Sequence, residues 1–214
     1  MTSSERAGTP VGAGTGPRST SDAAPRPGPG PDRGRWTAVL RRWPTALALG
    51  LAVVTLGGGD DPAAVVASVA EILLLLPLLY LVVAKLRSRR ASWPTLAVLI
   101  VSFAVLRIAE VVTPAAAVAA AALVVLVWGA VDGQLRGSGV FRAQALGMIG
   151  FGALALAGLT ADPDAGRYLV AAGWLLHGVW DFVHLRLGKV VARSYAEWCG
   201  VLDILIAAGL LLMF

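Results

Sequence analysis

The sequence predicts an all-α membrane protein, a bundle of seven transmembrane helices. Hydrophobic residues make up 57% of its 214 residues, and the mean hydropathy is +0.74. Charged residues make up 14%, whereas soluble proteins carry roughly 25%. Several apolar segments also approach the roughly 20 residues that are needed to cross a bilayer. These three observations predict a multi-pass (polytopic) protein whose main partner is the lipid bilayer.

The composition changes sharply after the first 35 residues. Residues 1–35 contain six of the twelve prolines, seven glycines and no aromatic residue. Such a segment cannot bury enough apolar surface to offset its chain entropy. We therefore expect a disordered, Pro/Gly/Ser-rich cytoplasmic tail at 1–35 and a seven-helix transmembrane domain at 36–214.

Seven apolar segments are predicted as the helices of this domain. Their approximate bounds are 43–58, 63–85, 94–112, 115–132, 141–160, 166–186 and 197–214. Four of them have a proline at or near the start, where a helix leaves its N–H groups unpaired anyway: Pro44, Pro62, Pro94 and Pro114. An odd number of spans would place the two termini on opposite sides of the membrane.

The distribution of basic residues predicts the orientation of the bundle. If successive helices alternate in direction, sixteen of the eighteen Lys and Arg residues fall on the side of the N-terminus, while Arg167 lies opposite and Arg107 lies within a helix. The opposite connections are acidic, with Asp60, Asp61, Asp162 and Asp164. Basic loops stay in the cytoplasm, so the expected topology is N-in, C-out. The net charge of +5 is thus a topology signal, and we expect no nucleic-acid partner.

Two further features of the sequence bear on its origin and its internal symmetry. Arginine outnumbers lysine sixteen to two, which suits a GC-rich bacterial genome and the bacterial cytoplasmic (inner) membrane. The segments GGGDDP (57–62) and LTADPD (159–164) follow the first and fifth predicted helices. This similarity is typical of a weak 3+1+3 repeat, in which the fourth helix inverts the second half. The sequence leaves the oligomeric state open.

A first group of charged residues is expected in the outer half of the membrane. Charges in hydrocarbon are costly and usually face partners inside the bundle. Arg107 and Glu110 are three residues apart and share a helix face, and Glu71 on the preceding helix could reach Arg107. We interpret Glu71, Arg107 and Glu110 either as an ion pair that locks two helices or as a contact site for a substrate or ion.

A second group lies in the segment WLLHGVWDFVH (174–184), which holds both histidines of the chain. At 100° per residue, His177, Asp181 and His184 fall on one narrow face of the sixth helix. Asp203 in the seventh helix is expected about 9 Å from the inner end, at a depth similar to that of Asp181. The sequence therefore predicts one cluster of four polar side chains in the inner half of the membrane, and these four are the candidate catalytic residues.

The chemistry of this cluster admits several interpretations. A buried carboxylate with a histidine partner suits acid/base work, such as protonating a lipid double bond. Metal binding is disfavoured because His177 and His184 lie about 10.5 Å apart along the axis, and no cysteine or third histidine is expected to complete a ligand set. We therefore expect no metal and no other cofactor. A purely structural hydrogen-bond network between the sixth and seventh helices remains an alternative.

Three classes of function follow from these interpretations. The first is a membrane-embedded acid/base enzyme that acts on a lipid or isoprenoid, with Asp181 or Asp203 as acid and His177 or His184 as partner. The second is a small transporter or proton-coupled carrier, in which the two polar groups form a path for a small molecule or ion. The third is a membrane scaffold or interaction protein whose polar network only sets the packing.

The C-terminal end also carries a recognisable pattern. HGVWDFVH (177–184) followed by YAEWCGVLD (195–203) resembles a group of small, uncharacterised bacterial integral membrane proteins. These proteins pair an H-x-x-W-D-x-x-H helix with a final Y-x-x-x-C-x-x-x-D helix, and a further histidine often follows the first motif, where this chain has Leu185. The resemblance covers about thirty residues at the C-terminal end. It implies that the polar residues of the last two helices belong together, without implying a reaction.

Overall fold

The computed structural model describes residues 42–57 and 61–212 of the chain. Within these ranges the protein is helical and contains no β-strand. The all-α class is therefore confirmed for the described part of the chain. The predicted tail at 1–35 and the last two residues of the predicted seventh helix lie outside the described residues.

Seven long helices account for most of the described chain. They are α1 Trp43–Gly57, α2 Pro62–Leu86, α3 Ser92–Ala109, α4 Pro114–Val131, α5 Gly139–Thr160, α6 Pro163–Leu187 and α7 Arg193–Leu212. A 3₁₀ turn at Arg89–Ala91 precedes α3, and a four-residue helix at Gln134–Gly137 precedes α5. Each of the seven predicted helices is thus present, with differences at the ends.

The largest difference in the first half is the end of α3, which was expected near residue 112. The helix ends at Ala109 because Glu110 adopts a left-handed conformation, with φ 53°, and its N–H bonds the Leu106 carbonyl at 3.2 Å. A new helix then starts at Pro114, capped by the Thr113 hydroxyl. Glu110 is therefore a cap residue at the end of the bundle and not a member of a helix face.

The seventh helix begins four residues earlier than expected, at Arg193. The connection before it is tight, because Gly188 ends α6 in a left-handed conformation with φ 60°. The N–H of Ala192 then bonds the hydroxyl of Ser92 at 3.0 Å, which anchors the connection to α3. As a result Asp203 lies ten residues into α7, or about 15 Å from its start rather than 9 Å.

The two ends of the bundle differ in charge. At one end the connections carry basic residues, namely Arg87, Arg89, Arg90, Arg136 and Lys189. At the other end, α2 and α6 both start with proline and are capped by Asp61 and Asp162, whose carboxylates accept from backbone N–H groups at 2.9 and 3.1 Å. We call these the basic end and the acidic end.

Burial separates a central helix from peripheral ones. The apolar stretch of α2 is 67% buried, whereas that of α3 with its preceding turn is 11% buried and that of α4 is 22% buried. The most extensive helix–helix contact is between α6 and α7, and α1 packs on α7 while α5 packs on α2 and α6. The core therefore lies between α2, α5, α6 and α7, and the outward faces of α3 and α4 remain apolar and exposed.

Five helices of the described chain are long and apolar enough to cross a membrane. They are α2, α3 with its preceding 3₁₀ turn, α4, α5 and α7. The apolar helix α1 has 15 residues, fewer than a span usually needs, and α6 has 25 residues but is more polar than the others. The structure is that of a helical protein with several membrane-spanning candidates, compatible with a multi-pass membrane protein.

Candidate functional site

Helix α6 carries His177 and Asp181 on the face that packs against α7. Both side chains are completely buried, with 0% exposure, and so is Asp203 on α7. The His177 Nδ1 atom lies 2.7 Å from Asp203 Oδ2 and 3.4 Å from Asp181 Oδ2. The structure thus brings together three of the four side chains that the sequence grouped in one cluster.

Two glycines allow this close approach of α6 and α7. A Cβ atom added at Gly178 of α6 would lie 3.1 Å from the Cβ of Asp203, and one added at Gly200 of α7 would lie 3.2 Å from the Cβ of Asp181. Each helix therefore has a glycine opposite the aspartate of the other. This reciprocal arrangement places both carboxylates beside the imidazole of His177.

A cysteine that was not among the predicted site residues joins the set. The Cys199 thiol lies one turn before Asp203 and contacts its Oδ1 atom at 3.8 Å. One ligand-type atom from each of His177, Asp181, Cys199 and Asp203 lies within 4.8 Å of the others, and all four residues are buried. We call these four residues the buried quartet. Cys199 therefore adds a sulfur atom to the imidazole and the two carboxylates.

A second missed residue comes from the central helix. The Tyr80 hydroxyl of α2 donates a hydrogen bond to Asp181 Oδ1, and its ring is 1% exposed. Tyr80 lies six residues before the end of α2, as Asp181 does in α6, so both are about 9 Å from the basic end. A lone hydroxyl within the run LLLLPLLYLVV at this depth was the available signal.

His184 does not join the quartet, contrary to the prediction of one four-membered cluster. Its Nδ1 donates to the Trp180 carbonyl at 2.9 Å, which leaves Nε2 to accept from the Gln144 amide of α5 at 3.0 Å. The Tyr80 ring packs against the His184 ring at a centroid distance of 4.9 Å. Although the two histidines share a helix face, seven residues of axial separation direct them to different neighbouring helices.

Two atoms of the quartet have no hydrogen-bond partner among the described residues. These are Asp181 Oδ2 and His177 Nε2. The Nδ1 atom of an imidazole carries one hydrogen at most. The 2.7 Å contact directs that hydrogen to Asp203, so no hydrogen is left to donate to Asp181 Oδ2. Unpartnered buried polar atoms are uncommon in native proteins and call for a specific explanation.

The predicted outer group is present in part. Arg107 Nη1 lies 3.3 Å from Glu71 Oε2, and Arg107 also donates to the hydroxyl of Ser68 at 3.2 Å. The Arg107 side chain is 48% exposed, and that of Glu71 is 15% exposed. Within residues 42–57 and 61–212, Glu110 forms no ion pair, because the end of α3 at Ala109 turns it away from this helix face. Glu71 lies nine residues before Tyr80 on α2, so this pair and the quartet are separate sites.

An apolar cavity of about 220 Å³ lies between α1, α2, α3, α6 and α7. Trp198 and Leu202 line it, and they directly precede Cys199 and Asp203 in α7. Its other lining residues are mostly aliphatic or aromatic, and they include Ile100 of the exposed helix α3. A cavity suited to hydrocarbon is thus lined by residues of α7 that are adjacent in sequence to two members of the quartet.

A second cavity, of about 260 Å³, opens at the acidic end. It is lined by the start of α2 and the start of α6, including Asp61, Asp164 and Arg167. Neither this cavity nor the apolar one is lined by a member of the quartet or by Glu71. The two polar sites are therefore not joined through either of these cavities.

The quartet and Tyr80 form a continuous chain of polar contacts that runs from α7 through α6 to α2. Such a chain can pass a proton between neighbouring groups, and its nitrogen, oxygen and sulfur atoms can also hold a cation. In comparisons with protein-family models, with curated proteins and with solved structures, the chain matched none.

Proposed function

We propose that all seven long helices span the bacterial cytoplasmic membrane, with the N-terminus inside and the C-terminus outside. The charge of the two bundle ends supports this orientation, since basic connections stay in the cytoplasm. At 25 residues α6 is long enough to span, and its polar side chains face α2, α5 and α7 rather than lipid. The short α1 packs along α7. Reporter fusions should place residue 88 inside and the C-terminus outside, and a cytoplasmic C-terminus would contradict seven spans.

The weak 3+1+3 repeat belongs to the same proposal. Its support is local: α2 and α6 occupy equivalent places in the two halves, and both begin with an Asp cap followed by proline. Superposing α1–α3 on α5–α7 tests it directly. A common path for three helices would support the repeat, and agreement limited to the two caps would count against it.

For the activity, we propose a membrane-embedded enzyme that acts on a lipid or isoprenoid, with the quartet and Tyr80 as its reaction centre. The observation that carries this proposal is a fully buried polar set whose sequence neighbours in α7 line an apolar cavity. Four titratable side chains exceed what helix packing requires, and their contacts suit acid/base chemistry. Because the quartet is closed, substrate access requires movement of the intervening side chains, as in many enzymes that open and close.

The direct test compares Asp181→Asn with the unchanged protein. The amide keeps the volume and a hydrogen bond, and interhelical hydrogen bonds in membranes are worth only about 0.6 kcal/mol on average. We therefore expect the variant to insert and to keep its melting temperature within a few degrees. Lipid extracts of cells that produce the wild-type protein should contain a changed lipid species, and this change should disappear with Asp181→Asn. A variant that changes the lipids as the wild type does would remove Asp181 from the mechanism.

The cavity can be tested separately with a photoactivatable isoprenoid added to membranes. We expect it to label peptides of α1, α3 and α7, and to label Ile100→Trp much less, because the larger side chain fills the cavity. Val98→Trp is the matched control, since Val98 lies on the same helix, is 64% exposed and does not line the cavity. Equal labelling of both variants would show that the cavity does not admit the lipid.

A small proton-coupled carrier is the second candidate function. The observation that favours it is the cavity at the acidic end, which lies between the starts of α2 and α6. These helices also carry Tyr80 and two members of the quartet, His177 and Asp181. Its test is proton movement in proteoliposomes. Proton flux that is lost in Asp181→Asn, without any change of lipids, would favour the carrier over the enzyme.

A further inference from the structure

We propose that the buried quartet binds one divalent transition-metal ion, and that Zn²⁺ is the ion its donors suit best. One nitrogen, one sulfur and two carboxylate groups converge from α6 and α7, with their ligand atoms within 4.8 Å of one another. The inference rests on the proposed function in that it takes the quartet as the reaction centre, and it adds the cofactor of that centre. A catalytic zinc ion keeps one position open, so three of the four donors would hold the ion and the fourth would stay available for proton transfer.

The donor types identify the class of metal. Histidine nitrogen, cysteine sulfur and aspartate oxygen are the three kinds of ligand that Zn²⁺ takes from proteins. Mg²⁺ and Ca²⁺ prefer sites made only of oxygen, so a histidine and a cysteine in the set argue against them. The Cys199 thiolate and one carboxylate together can neutralise the charge of a divalent ion in a place from which water is excluded.

The spacing of the donors is close to that of a tetrahedral site. With bonds of about 2.0 to 2.3 Å, the ligand atoms of such a site lie about 3.3 to 3.8 Å apart. The His177 Nδ1 atom is 3.4 Å from Asp181 Oδ2, and Cys199 Sγ is 3.8 Å from Asp203 Oδ1. The 2.7 Å contact between His177 and Asp203 is shorter because it is a hydrogen bond, and it would lengthen when the ion replaces the proton.

An unpartnered atom points independently to a ligand at this place. Asp181 is completely buried, and its Oδ2 atom has no hydrogen-bond partner among the described residues although it faces His177 Nδ1. The other oxygen of the same carboxylate is held by Tyr80. A hydrogen bond to one oxygen of a ligating carboxylate is a usual feature of metal sites, because it fixes the orientation of the ligand. Tyr80 is thus a positioning residue that keeps Asp181 Oδ2 turned toward the centre.

The experiment uses the full-length protein, purified in detergent from cells supplied with Zn²⁺, and measures bound metal by mass spectrometry. We expect one zinc ion per chain. Protein prepared with Co²⁺ instead should show the visible bands of tetrahedral cobalt and a thiolate-to-cobalt charge-transfer band in the near ultraviolet, because Cys199 supplies a sulfur ligand.

Two variants test the ligand Cys199 and the positioning residue Tyr80. Cys199→Ala should lose the charge-transfer band and bind metal at least about tenfold more weakly, and Tyr80→Phe should weaken binding roughly 10- to 100-fold while the band remains. His184→Gln is the matched control, since His184 is a buried histidine of the same helix outside the quartet, and it should bind like the wild type. Cys199→Ser repeats the first test if Cys199→Ala gives too little folded protein.

Folded wild-type protein that holds far less than one ion per chain after loading would overturn the proposal. Metal binding that is unchanged in both Cys199 variants would overturn it as well. The lipid assay separates these failures from failure of the proposed function: if zinc-free protein still changes the lipids and Asp181→Asn does not, the reaction centre stands without a metal. Stoichiometric zinc with no change of lipids would leave the metal site and remove the enzyme.

Discussion

Three members of the buried quartet, His177, Asp181 and Asp203, and the Glu71–Arg107 pair were predicted by the same rule, that a charge inside an apolar helix needs a partner. They differ in what surrounds them. Arg107 lies two residues from the end of α3 and is 48% exposed, whereas every member of the quartet is buried and Tyr80 adds a contact from a third helix. The rule therefore locates charged sites, and burial decides which of them is a candidate for acid/base chemistry or metal binding.

The energies of the two sites should differ accordingly. An exposed ion pair is worth about 0–1 kcal/mol, since solvent screens it and two side chains must be ordered. Breaking a buried pair by removing one partner costs about 3–5 kcal/mol, because the remaining polar group stays buried and unpaired. The difference predicts that substitutions at the two sites will separate clearly in a stability measurement.

Asp203→Ala should have the largest effect. It removes the hydrogen-bond partner of His177 Nδ1 and the neighbour of Cys199 Sγ. We expect a loss of about 3–5 kcal/mol in the free energy of unfolding, measured by denaturant titration of the purified protein in micelles. Asp203→Asn is the matched control and should lose much less, as the amide can still pair with the imidazole. Equal losses in the two variants would show that the volume of the side chain, and not its pairing, matters.

Gly200→Ala should have an intermediate effect. The added Cβ would lie 3.2 Å from the Cβ of Asp181 and 3.3 Å from the ring of Phe182, so α6 and α7 must move apart. Overpacking of this kind costs about 1–3 kcal/mol, read as a lower melting temperature. Gly150→Ala on α5 is the control, because nothing lies within 4 Å of its added Cβ. A stable Gly200→Ala would mean that the helices are not held at this distance.

Glu71→Gln should have the smallest effect. Its partner Arg107 is half-exposed at the end of α3 and keeps its hydrogen bond to Ser68. We expect a change of at most about 1 kcal/mol in the free energy of unfolding and no change in metal content. If this substitution destabilised the protein as strongly as Asp203→Ala, the contrast between the two sites would be lost.

The sequence predicted the seven long helices and three of the four quartet residues, His177, Asp181 and Asp203. Periodicity within α6 was sufficient to place His177 and Asp181 on one face, and the expected depth of Asp203 in the seventh helix was sufficient to predict that it lies nearby. These features depend on local geometry, in which the angle between residues of one helix is fixed at about 100°. They could therefore be obtained without knowing the packing.

The parts that were missed depend on how neighbouring helices are rotated. The packing of α2, α7 and α5 sets three contacts that the pattern within one helix does not determine. They are Tyr80 with Asp181, Cys199 with Asp203, and His184 with Gln144. An error in a helix end has a similar consequence, since the displaced end of α3 removed Glu110 from its predicted group.

The reciprocal glycines of α6 and α7 have a consequence for the order in which the chain is assembled. A charged residue at the middle of an inserting helix costs about 2.5–3.5 kcal/mol. In the proposed topology, His177 of α6 lacks its hydrogen-bond partner Asp203 until α7 has been synthesised. Only the short connection 188–192 separates the two helices, so they can enter the bilayer together as a hairpin. In this hairpin Asp181 already packs against Gly200, and Asp203 against Gly178. We expect a nascent chain arrested before residue 193 to leave α6 outside the lipid, detectable by its accessibility to water-soluble reagents, and release of the arrest to bring both helices in as one unit.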